Sequence, residues 1–351
     1  MSQTRERTTP TIADVARACG VSKMTVSYVI NGKSVLKPET RERVERAMQE
    51  MNYHPSAVAR GLSSKKVHTF GLLLPVFGSA EFVTNPYANG ILQGILWQAE
   101  REGYNVTIFT SRWENARVSA APLRDGRTDG IIVVAPPLYS DVVSGLAALQ
   151  IPVVAIAAAR HEGVSVVDVD NEAGLRLVTQ HLLELGHRRI VYLCGNDDLA
   201  SFAPRRRGFV STLVEAGIEA TPAMIQVSRF DGQGAFEQAS NLLRRDNPPT
   251  AIIAGNDTIG VAVIEAARCA GLSVPCQLSV VGFDNAPAAT LVSPNLTTVH
   301  QPLTEIGETA ISLLVKRANK NFDTQGSLHL LPPRLVVRGS SGPPPRENSR
   351  R

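Results

Sequence analysis

Residues 11–32 read TIADVARACGVSKMTVSYVING and hold two short helical patterns that meet at a glycine. In the first pattern the apolar residues recur at the spacing of one helix face, and they are Ile12, Val15, Ala16 and Cys19. Thr11 precedes them as an N-cap, and Asp14 follows three residues later to complete a capping box. Gly20 ends this helix, and Ser22 caps the next one. The stretch therefore predicts two helices joined by a tight turn.

The second helix has one apolar face and one polar face. Its apolar face is formed by three β-branched residues, which are Val26, Val29 and Ile30. The opposite face presents Lys23, Met24, Ser27 and Tyr28. A third helical pattern begins at Pro38, and its apolar residues are Val44, Ala47, Met48 and Met51. This arrangement is typical of a helix-turn-helix unit, whose second helix enters the DNA major groove. The alternative is a three-helix bundle with a basic surface.

Positive charge is concentrated in the same part of the chain. Residues 1–66 contain twelve lysines and arginines and six acidic residues, although the whole chain of 351 residues has a formal net charge of only +4. Because phosphates attract cationic surfaces, this distribution supports nucleic-acid binding by the first segment. The four cysteines are scattered without the spacing of a metal site or a disulfide framework. Reduced thiols in a cytoplasm, with no metal and no cofactor, are therefore expected.

The motifs TIADVA, GVS, TVS and VING, followed by TRERV and MNYHPSAVARGL, closely resemble those of the lactose/galactose-repressor (LacI/GalR) family. The resemblance implies a DNA-binding domain at residues 1–54. It implies base contacts from Lys23, Met24 and Tyr28, and the exposed helix face adds Ser27. Six further residues are implied as phosphate contacts, and they are Ser22, Thr25, Asn31, Thr40, Tyr53 and Ser56. Tyr28 stands where relatives commonly have arginine, so the operator sequence does not transfer.

A hinge with the sequence PSAVARGLSSKK follows at residues 55–66. A helix this short is marginal in water, so one interpretation is a segment that folds only when two copies pack together on DNA. The other interpretation is a flexible linker of similar composition. The resemblance favours the first, because Leu62 aligns with a leucine that enters the minor groove and kinks the duplex. Ala59 is small enough for two hinge helices to approach each other.

After residue 66, apolar strands alternate with amphipathic helical patterns. This alternation predicts an α/β domain of parallel sheets covered by helices, and its length favours two lobes. The runs VDVDNEAG, RRRGF, AGNDTIG, VVGFDN and PNLTTVHQP resemble the family's effector domain, which is similar to a two-lobed periplasmic sugar-binding protein. Family topology implies an effector and dimerisation domain at 67–338, with lobe one at about 67–162 plus 296–320 and lobe two at about 163–292 plus 321–338. Residues 339–351, rich in Gly, Pro, Ser and Arg, are expected to be a disordered tail.

A cleft between two lobes is a natural small-molecule site, and the resemblance implies a sugar or sugar derivative there. Arg205 matches an arginine that forms forked hydrogen bonds to hydroxyls or a carboxylate. The other candidate effector contacts are Tyr87, Phe202, Asn256, Asp257 and Asp284. Alternatively, Asp257 caps a helix and Asp284 a turn. Ala157 stands where relatives commonly carry an aspartate, and the nearby Arg160 would favour an acidic or phosphorylated ligand.

Together these patterns predict a homodimeric, ligand-responsive transcriptional repressor that binds a near-palindromic operator in a bacterial cytoplasm. The alternative is a solute-binding protein with no gene-regulatory role, against which the helix-turn-helix argues. No apolar run is long enough for a membrane span, so no membrane partner is expected. An enzyme is disfavoured, because the motifs GxxxxGK[ST] and HExxH do not occur and no GxGxxG follows the first strand. Induction and corepression are both compatible with the sequence.

Overall fold

A computed structural model describes residues 10–30, 36–54, 66–74, 85–110, 113–228, 232–319 and 325–346. The chain divides into two compact units, Met1–Val67 and His68–Arg351. Within the described ranges, no helix has the length and apolar character that crossing a membrane requires.

The first unit holds the three predicted helices, α1 (Ile12–Cys19), α2 (Lys23–Ile30) and α3 (Pro38–Glu50). The capping box is present, because the Asp14 carboxylate accepts hydrogen bonds from the backbone N and the hydroxyl of Thr11 at 3.0 and 2.7 Å. Gly20 ends α1 with a φ of 63°, which glycine adopts without strain. Ser22 Oγ accepts from Thr25 N at 3.1 Å and so caps α2 as predicted.

A small apolar core joins these three helices. Val15, Val26 and Val44, one from each helix, are fully buried within it. Tyr53 closes the core from the segment that follows α3. Because the buried residues of α2 face this core, its opposite face is held toward solvent, where Met24 is 64% exposed.

The second unit alternates strands with helices, as predicted. Its strands are β1 (Thr69–Leu73), β2 (Asn105–Phe109), β3 (Gly130–Val134), β4 (Val153–Ile156), β5 (Ser165–Val169), β6 (Ile190–Cys194), β7 (Ile225–Val227), β8 (Ala251–Ala254), β9 (Ser279–Asp284), β10 (Thr297–His300), β11 (Leu328–Leu331) and β12 (Arg334–Val336). Its helices are α4 (Pro86–Arg101), α5 (Ala116–Ser119), α6 (Val142–Ala148), α7 (Asn171–Glu184), α8 (Phe202–Glu215), α9 (Gly232–Leu243), α10 (Asp257–Cys269), α11 (Ala288–Leu291) and α12 (Leu303–Ala318).

These strands form two six-stranded sheets, in the orders β11-β5-β4-β3-β1-β2 and β12-β10-β9-β8-β6-β7. The described pairings are parallel except the one between β10 and β12, which is antiparallel. Every residue of β3, β4 and β8 is buried, as expected for sheets covered by helices on both faces. The predicted two-lobed α/β fold is thereby confirmed.

The chain crosses between the lobes at other positions than the resemblance implied. β5 pairs with β4 and therefore belongs to the first sheet. β10 pairs with β9 and therefore belongs to the second sheet. The segment 325–338 is divided between the lobes, because β11 joins the first sheet and β12 joins the second. The predicted lobe limits are thus wrong by about one strand at each crossing. The local pattern identifies a strand, but its sheet is decided by a partner distant in sequence.

Close backbone approaches at glycine hold the helices beside the cleft. A Cβ at Gly94 in α4 would overlap the backbone oxygen of Thr304 in α12. Likewise, a Cβ at Gly208 in α8 would overlap the backbone oxygen of Glu172 in α7. Since only glycine lacks this atom, the two helix pairs pack at short range and fix the helices that begin at the cleft.

The carboxyl-terminal segment packs against the second sheet, so the predicted disordered tail is wrong for residues 339–346. Ser340 is fully buried, and its hydroxyl donates to Val280 O at 2.6 Å and accepts from Thr297 N at 2.8 Å. Val280 N in turn donates to Ser340 O at 2.8 Å. The composition suggested disorder because it offers few apolar groups. Here the segment is held instead by hydrogen bonds to the neighbouring strands.

A buried histidine holds the same segment. His187 Nδ1 lies 2.9 Å from Thr250 Oγ1, and Nε2 lies 2.8 Å from Gly342 O and 3.0 Å from Ser279 Oγ. Because a carbonyl only accepts, Nε2 carries the proton and Nδ1 accepts from the threonine hydroxyl. Burial lowers the pKa of His187 and so favours this neutral imidazole.

We expect Ser340→Ala to lower the free energy of unfolding by about 1–3 kcal/mol, because Thr297 N loses its buried partner. Urea denaturation followed by circular dichroism measures the change. Ser144→Ala, at an exposed position of α6, is the control and should stay within about 0.5 kcal/mol of the parent chain. Equal effects of the two substitutions would contradict the role given to Ser340.

His187 should make the folded state sensitive to mild acid. Its pKa is lower in the folded chain than the ordinary 6.5 of the unfolded one. The stability it contributes is therefore complete above about pH 6.5 and is lost as the pH falls toward the folded pKa. The melting temperature should consequently fall more between about pH 7.5 and pH 5.5 in the parent chain than in His187→Gln. Identical slopes would refute this, and exposed His54→Gln is the matched control.

Candidate DNA interface and effector cleft

The first turn of α2 presents side chains that were predicted to read DNA bases. Lys23 and Met24 are exposed, whereas Ser27 and Tyr28 lie half-buried further along the helix. Val26 anchors the opposite face in the core. A helix with an exposed first turn and an anchored opposite face has the geometry for insertion into a major groove.

The predicted phosphate contacts that the structure describes lie mainly at helix starts. Ser22 caps α2 and Thr25 lies in its first turn, and their hydroxyls are 3.0 Å apart. Thr40 lies half-buried in the first turn of α3. Backbone N–H groups at a helix start attract phosphate. Tyr53, by contrast, is 9% exposed and packs in the core. Four other predicted residues lie outside the described part of the chain, and they are Asn31, Ser56, Ala59 and Leu62.

In the second unit, Arg205 is the centre of a cluster of buried polar groups beside the crossing from the first lobe to the second. It lies in the first turn of α8 and is 7% exposed. Its Nε donates to Asn171 Oδ1 at 2.7 Å, and its Nη1 donates to Gly255 O at 2.8 Å. The guanidinium also lies 3.7 Å from the centre of the Phe283 ring, a cation–π contact, and hydrogen-bonds the Tyr192 hydroxyl. Arg205 thereby joins segments that follow β5 and β8 to strand β9.

Asp168 extends this hydrogen-bond chain, although the sequence did not single it out. It is the fourth residue of β5 and is 9% exposed. Its Oδ2 accepts from Asn171 Nδ2 at 2.9 Å, and its Oδ1 accepts from Val169 N at 2.8 Å. Burial raises the pKa of Asp168 to about 7, although the Val169 N–H and the nearby Arg205 oppose the rise. The sequence held one signal for Asp168, which is a single carboxyl within the apolar run SVVDV. Because a buried acid requires polar partners, such a carboxyl indicates a buried polar cluster.

Tyr87 and Asp284 reach the same cluster from different lobes. Tyr87 lies in the first turn of α4, and its pKa is raised well above the usual value by burial and by the carboxylates of Asp168 and Asp284. Asp284 Oδ1 accepts from Gln301 Nε2 at 2.6 Å. Burial raises the pKa of Asp284, and the negative charge of the neighbouring Asp257 raises it further. The structure therefore brings two predicted residues, Tyr87 and Asp284, together with Arg205.

Asn256 and Asp257 already have partners within their own lobe. Asn256 Oδ1 accepts from the third backbone N of α10 at 2.9 Å, so the helix-cap role considered for Asp257 belongs to Asn256. Asp257 is 1% exposed and accepts from Thr298 Oγ1 and Ala286 N, both at 2.6 Å. This geometry favours Asp257 as a residue that positions the loop after Asp284.

The wall after β4 is small and apolar. Ala157 is 7% exposed with a φ of 50°, and Arg160 nearby is exposed. Phe202 begins α8 and packs half-buried against the core. Next to the cleft the two lobes touch, because Leu138 N after β3 donates to Asp198 O after β6 at 2.7 Å. Within the described residues there is no group of three or more side chains that could hold a metal ion.

Comparison with known proteins agrees with both units. Residues 11–56 match the family model "Bacterial regulatory proteins, lacI family", and residues 179–341 match the model "Periplasmic binding protein-like domain". The HTH-type transcriptional regulator DegA of Bacillus subtilis (strain 168) is 34% identical over 339 residues, which cover 95% of this chain and 98% of that protein. The ribose operon repressor of Escherichia coli (strain K12) is 32% identical over 335 residues, covering 94% and 99%.

Solved structures show the same architecture over nearly the whole length. The lac repressor dimer bound to operator and the anti-inducer ONPF superposes with a TM-score of 0.83 at 27% identity, covering 95% of this chain and 100% of that one. The transcriptional regulator CelR in complex with cellobiose gives a TM-score of 0.74 at 29% identity, covering 94% and 99%.

A helix-turn-helix unit followed by a two-lobed α/β domain defines a class of DNA-binding transcriptional regulators. Within that class, this chain belongs to the lacI family of bacterial regulatory proteins. The resemblance drawn from the sequence motifs is confirmed, and so is the regulatory reading over the solute-binding alternative.

Proposed function

We propose that this regulator represses transcription by binding a near-palindromic operator as a homodimer, under the control of a small molecule held between its lobes. The observation that carries the proposal is an exposed reading face on α2 in a chain that also has a cleft lined by buried polar groups. The lac repressor structure, a dimer on operator, supports the DNA half. The CelR complex with cellobiose supports the small-molecule half, with a sugar or sugar derivative as effector.

The hinge would connect the two activities. In this proposal the segments 55–66 of two copies fold against each other on DNA, with Ala59 at their contact and Leu62 wedged into the minor groove. An effector changes DNA affinity only when it binds the DNA-competent and the DNA-incompetent arrangement of the lobes unequally. A protein that acts on the chromosome must share its compartment, so the proposal includes a cytoplasmic, nucleoid-associated location. It assigns no catalytic step to the chain.

DNA selection from random duplexes with the full-length chain should return a near-palindrome with half-sites about 10 bp apart, centre to centre. In gel-shift titrations at fixed salt, Lys23→Ala and Met24→Ala should relax the preference at individual base pairs by about 1–3 kcal/mol. Leu62→Ala should weaken binding to all sequences that require the kink.

Gln49→Ala is the control for these titrations, because Gln49 is exposed near the end of α3. It should leave affinity and preference unchanged. Unaltered affinity and unaltered preference in both Lys23→Ala and Leu62→Ala would remove the proposed DNA contacts.

The effector half predicts that Arg205→Lys abolishes the ligand response. Lysine keeps the charge but cannot donate to Asn171 and Gly255 in the fixed fork of a guanidinium. In a thermal-shift panel of sugars, sugar phosphates and nucleobases, at least one compound should stabilise the parent chain and fail to stabilise Arg205→Lys. Exposed Arg206→Lys is the matched control. A silent panel beside intact DNA binding would refute control by these ligand classes.

A further inference from the structure

Two loops from different lobes meet next to the helix that carries Arg205. The loop 136–140 follows β3 of the first sheet, and the loop 197–201 lies between β6 of the second sheet and α8. We call them the latch loop and the receiver loop. Pro136 and Pro137 are consecutive and both are buried. Because each proline ring fixes its φ angle, the base of the latch loop has little freedom to bend away from the other lobe.

The two loops are joined through main-chain atoms. Pro137 and Leu199 form an isolated antiparallel bridge. Leu138 N donates to Asp198 O at 2.7 Å. Because this bond flanks the bridge, Pro137 and Leu199 are a non-hydrogen-bonded pair, whose Cα atoms lie about 4.5 Å apart. Donor and acceptor both belong to the backbone, so the pairing needs no group from a ligand to complete it.

The position of this pairing makes it sensitive to the angle between the lobes. The chain crosses between the lobes next to β5, β10, β11 and β12, which lie at one end of the two strand orders. β3 lies two strands from β5, and β6 lies four strands from β12. At about 4.8 Å per strand, the pairing is about 10–19 Å from the crossing strands. A rotation of one lobe by about 10° about the crossings would separate the loops by about 2–3 Å, more than a hydrogen bond tolerates. The pairing therefore belongs to the closed arrangement of the lobes.

The contact is small enough to be reversible. Leu138 and Tyr139 are 53% and 81% exposed, so the tip of the latch loop stays outside the contact. One backbone hydrogen bond has a net worth that corresponds to about a two- to tenfold change in an equilibrium constant. A contact of this strength biases an equilibrium between closed and open lobes without locking it.

We propose that the latch loop holds the two lobes closed through its main-chain pairing with the receiver loop, so that the chain opens and closes without a ligand. The receiver loop connects this pairing to the candidate site, because Ser201 O accepts from Arg205 N at 3.1 Å. Release of the latch loop would therefore free the start of α8, which carries Arg205. The inference rests on the proposed function in one point only, which is that an effector acts on this equilibrium.

The first test measures closure in the full-length chain by disulfide trapping. The variant is Pro137→Cys/Leu199→Cys, in a background where the exposed Cys269 and Cys276 are replaced by serine. A Cα separation of about 4.5 Å lies within the range that a disulfide spans. Mild oxidation should therefore form an intramolecular disulfide at least about tenfold faster than in Ser144→Cys/Leu199→Cys, whose first thiol lies outside the bridge. Non-reducing electrophoresis of the denatured chain measures both rates.

The second test measures opening in the same background. The thiol of Pro137→Cys alone occupies a buried position, so a maleimide should label it only while the latch loop is released. Adding Leu138→Pro removes the N–H donor and should speed labelling by about two- to tenfold. Adding Tyr139→Ala, at the exposed neighbouring position, is the matched control and should leave the rate unchanged. Peptide mapping by mass spectrometry reads the label at position 137.

Disulfide formation no faster than in the control pair would overturn the inference, because the lobes would then rest apart. Equal labelling with Leu138→Pro and with Tyr139→Ala would overturn it too, because the hydrogen bond would then not hold the loops together. If the Leu138→Pro chain does not fold, the trapping rates alone decide. Neither test uses ligand or DNA, so failure of the latch is distinguishable from failure of the proposed function. Gel shifts on the reduced variants report operator binding separately.

Discussion

The buried guanidinium of Arg205 imposes a constraint that the effector domain satisfies from several directions. A charge removed from water costs several kcal/mol unless partners replace the lost hydration. Here the partners are Asn171 after β5, the backbone of Gly255 after β8, the Phe283 ring on β9 and the Tyr192 hydroxyl on β6. Asn171 lies where the chain enters the second lobe, and the other three groups belong to that lobe. Because Arg205 bonds to Asn171 at the crossing, a displacement of the crossing segment would also displace the Arg205 side chain.

A second set of polar contacts connects the carboxyl-terminal segment to the same cleft. Arg338, after β12, donates from Nη2 to Asn285 Oδ1 at 2.6 Å and from Nη1 to Leu296 O at 2.8 Å. Asp284 and Asn285 both have positive φ, at 115° and 61°. Non-glycine residues hold such backbone only when their surroundings fix it, and Arg338 supplies one such restraint. Arg338, the last residue of the predicted effector domain, thus helps to hold the backbone beside Asp284, a residue of the candidate site.

The parts of the site that sequence reasoning found differ in kind from those it missed. Lys23 and Met24 came from the family resemblance together with the helical pattern, which turns Val26 toward the core and leaves both residues exposed. Arg205, Tyr87 and Asp284 came from motif resemblance, and the structure brings them together. Asp168 was missed because the one local signal, a carboxyl within an apolar strand, does not tell which buried polar partners it meets. The actual partners of Asp257 were also hidden, because Thr298 lies on a neighbouring strand.

The sequence by itself determined the helix-turn-helix, its caps and core, and the alternation of strands and helices. These features depend on interactions within a few residues, such as the contact of Asp14 with Thr11 or the φ of Gly20. Only the tertiary structure decided which sheet takes β5, β10 and β11, and that residues 339–346 are packed. It alone placed Asp168 in reach of Tyr87 and paired Pro137 with Leu199. The physical reason is that strand pairing and buried hydrogen bonds join residues far apart in the chain, so their outcome is fixed by the fold rather than by local pattern.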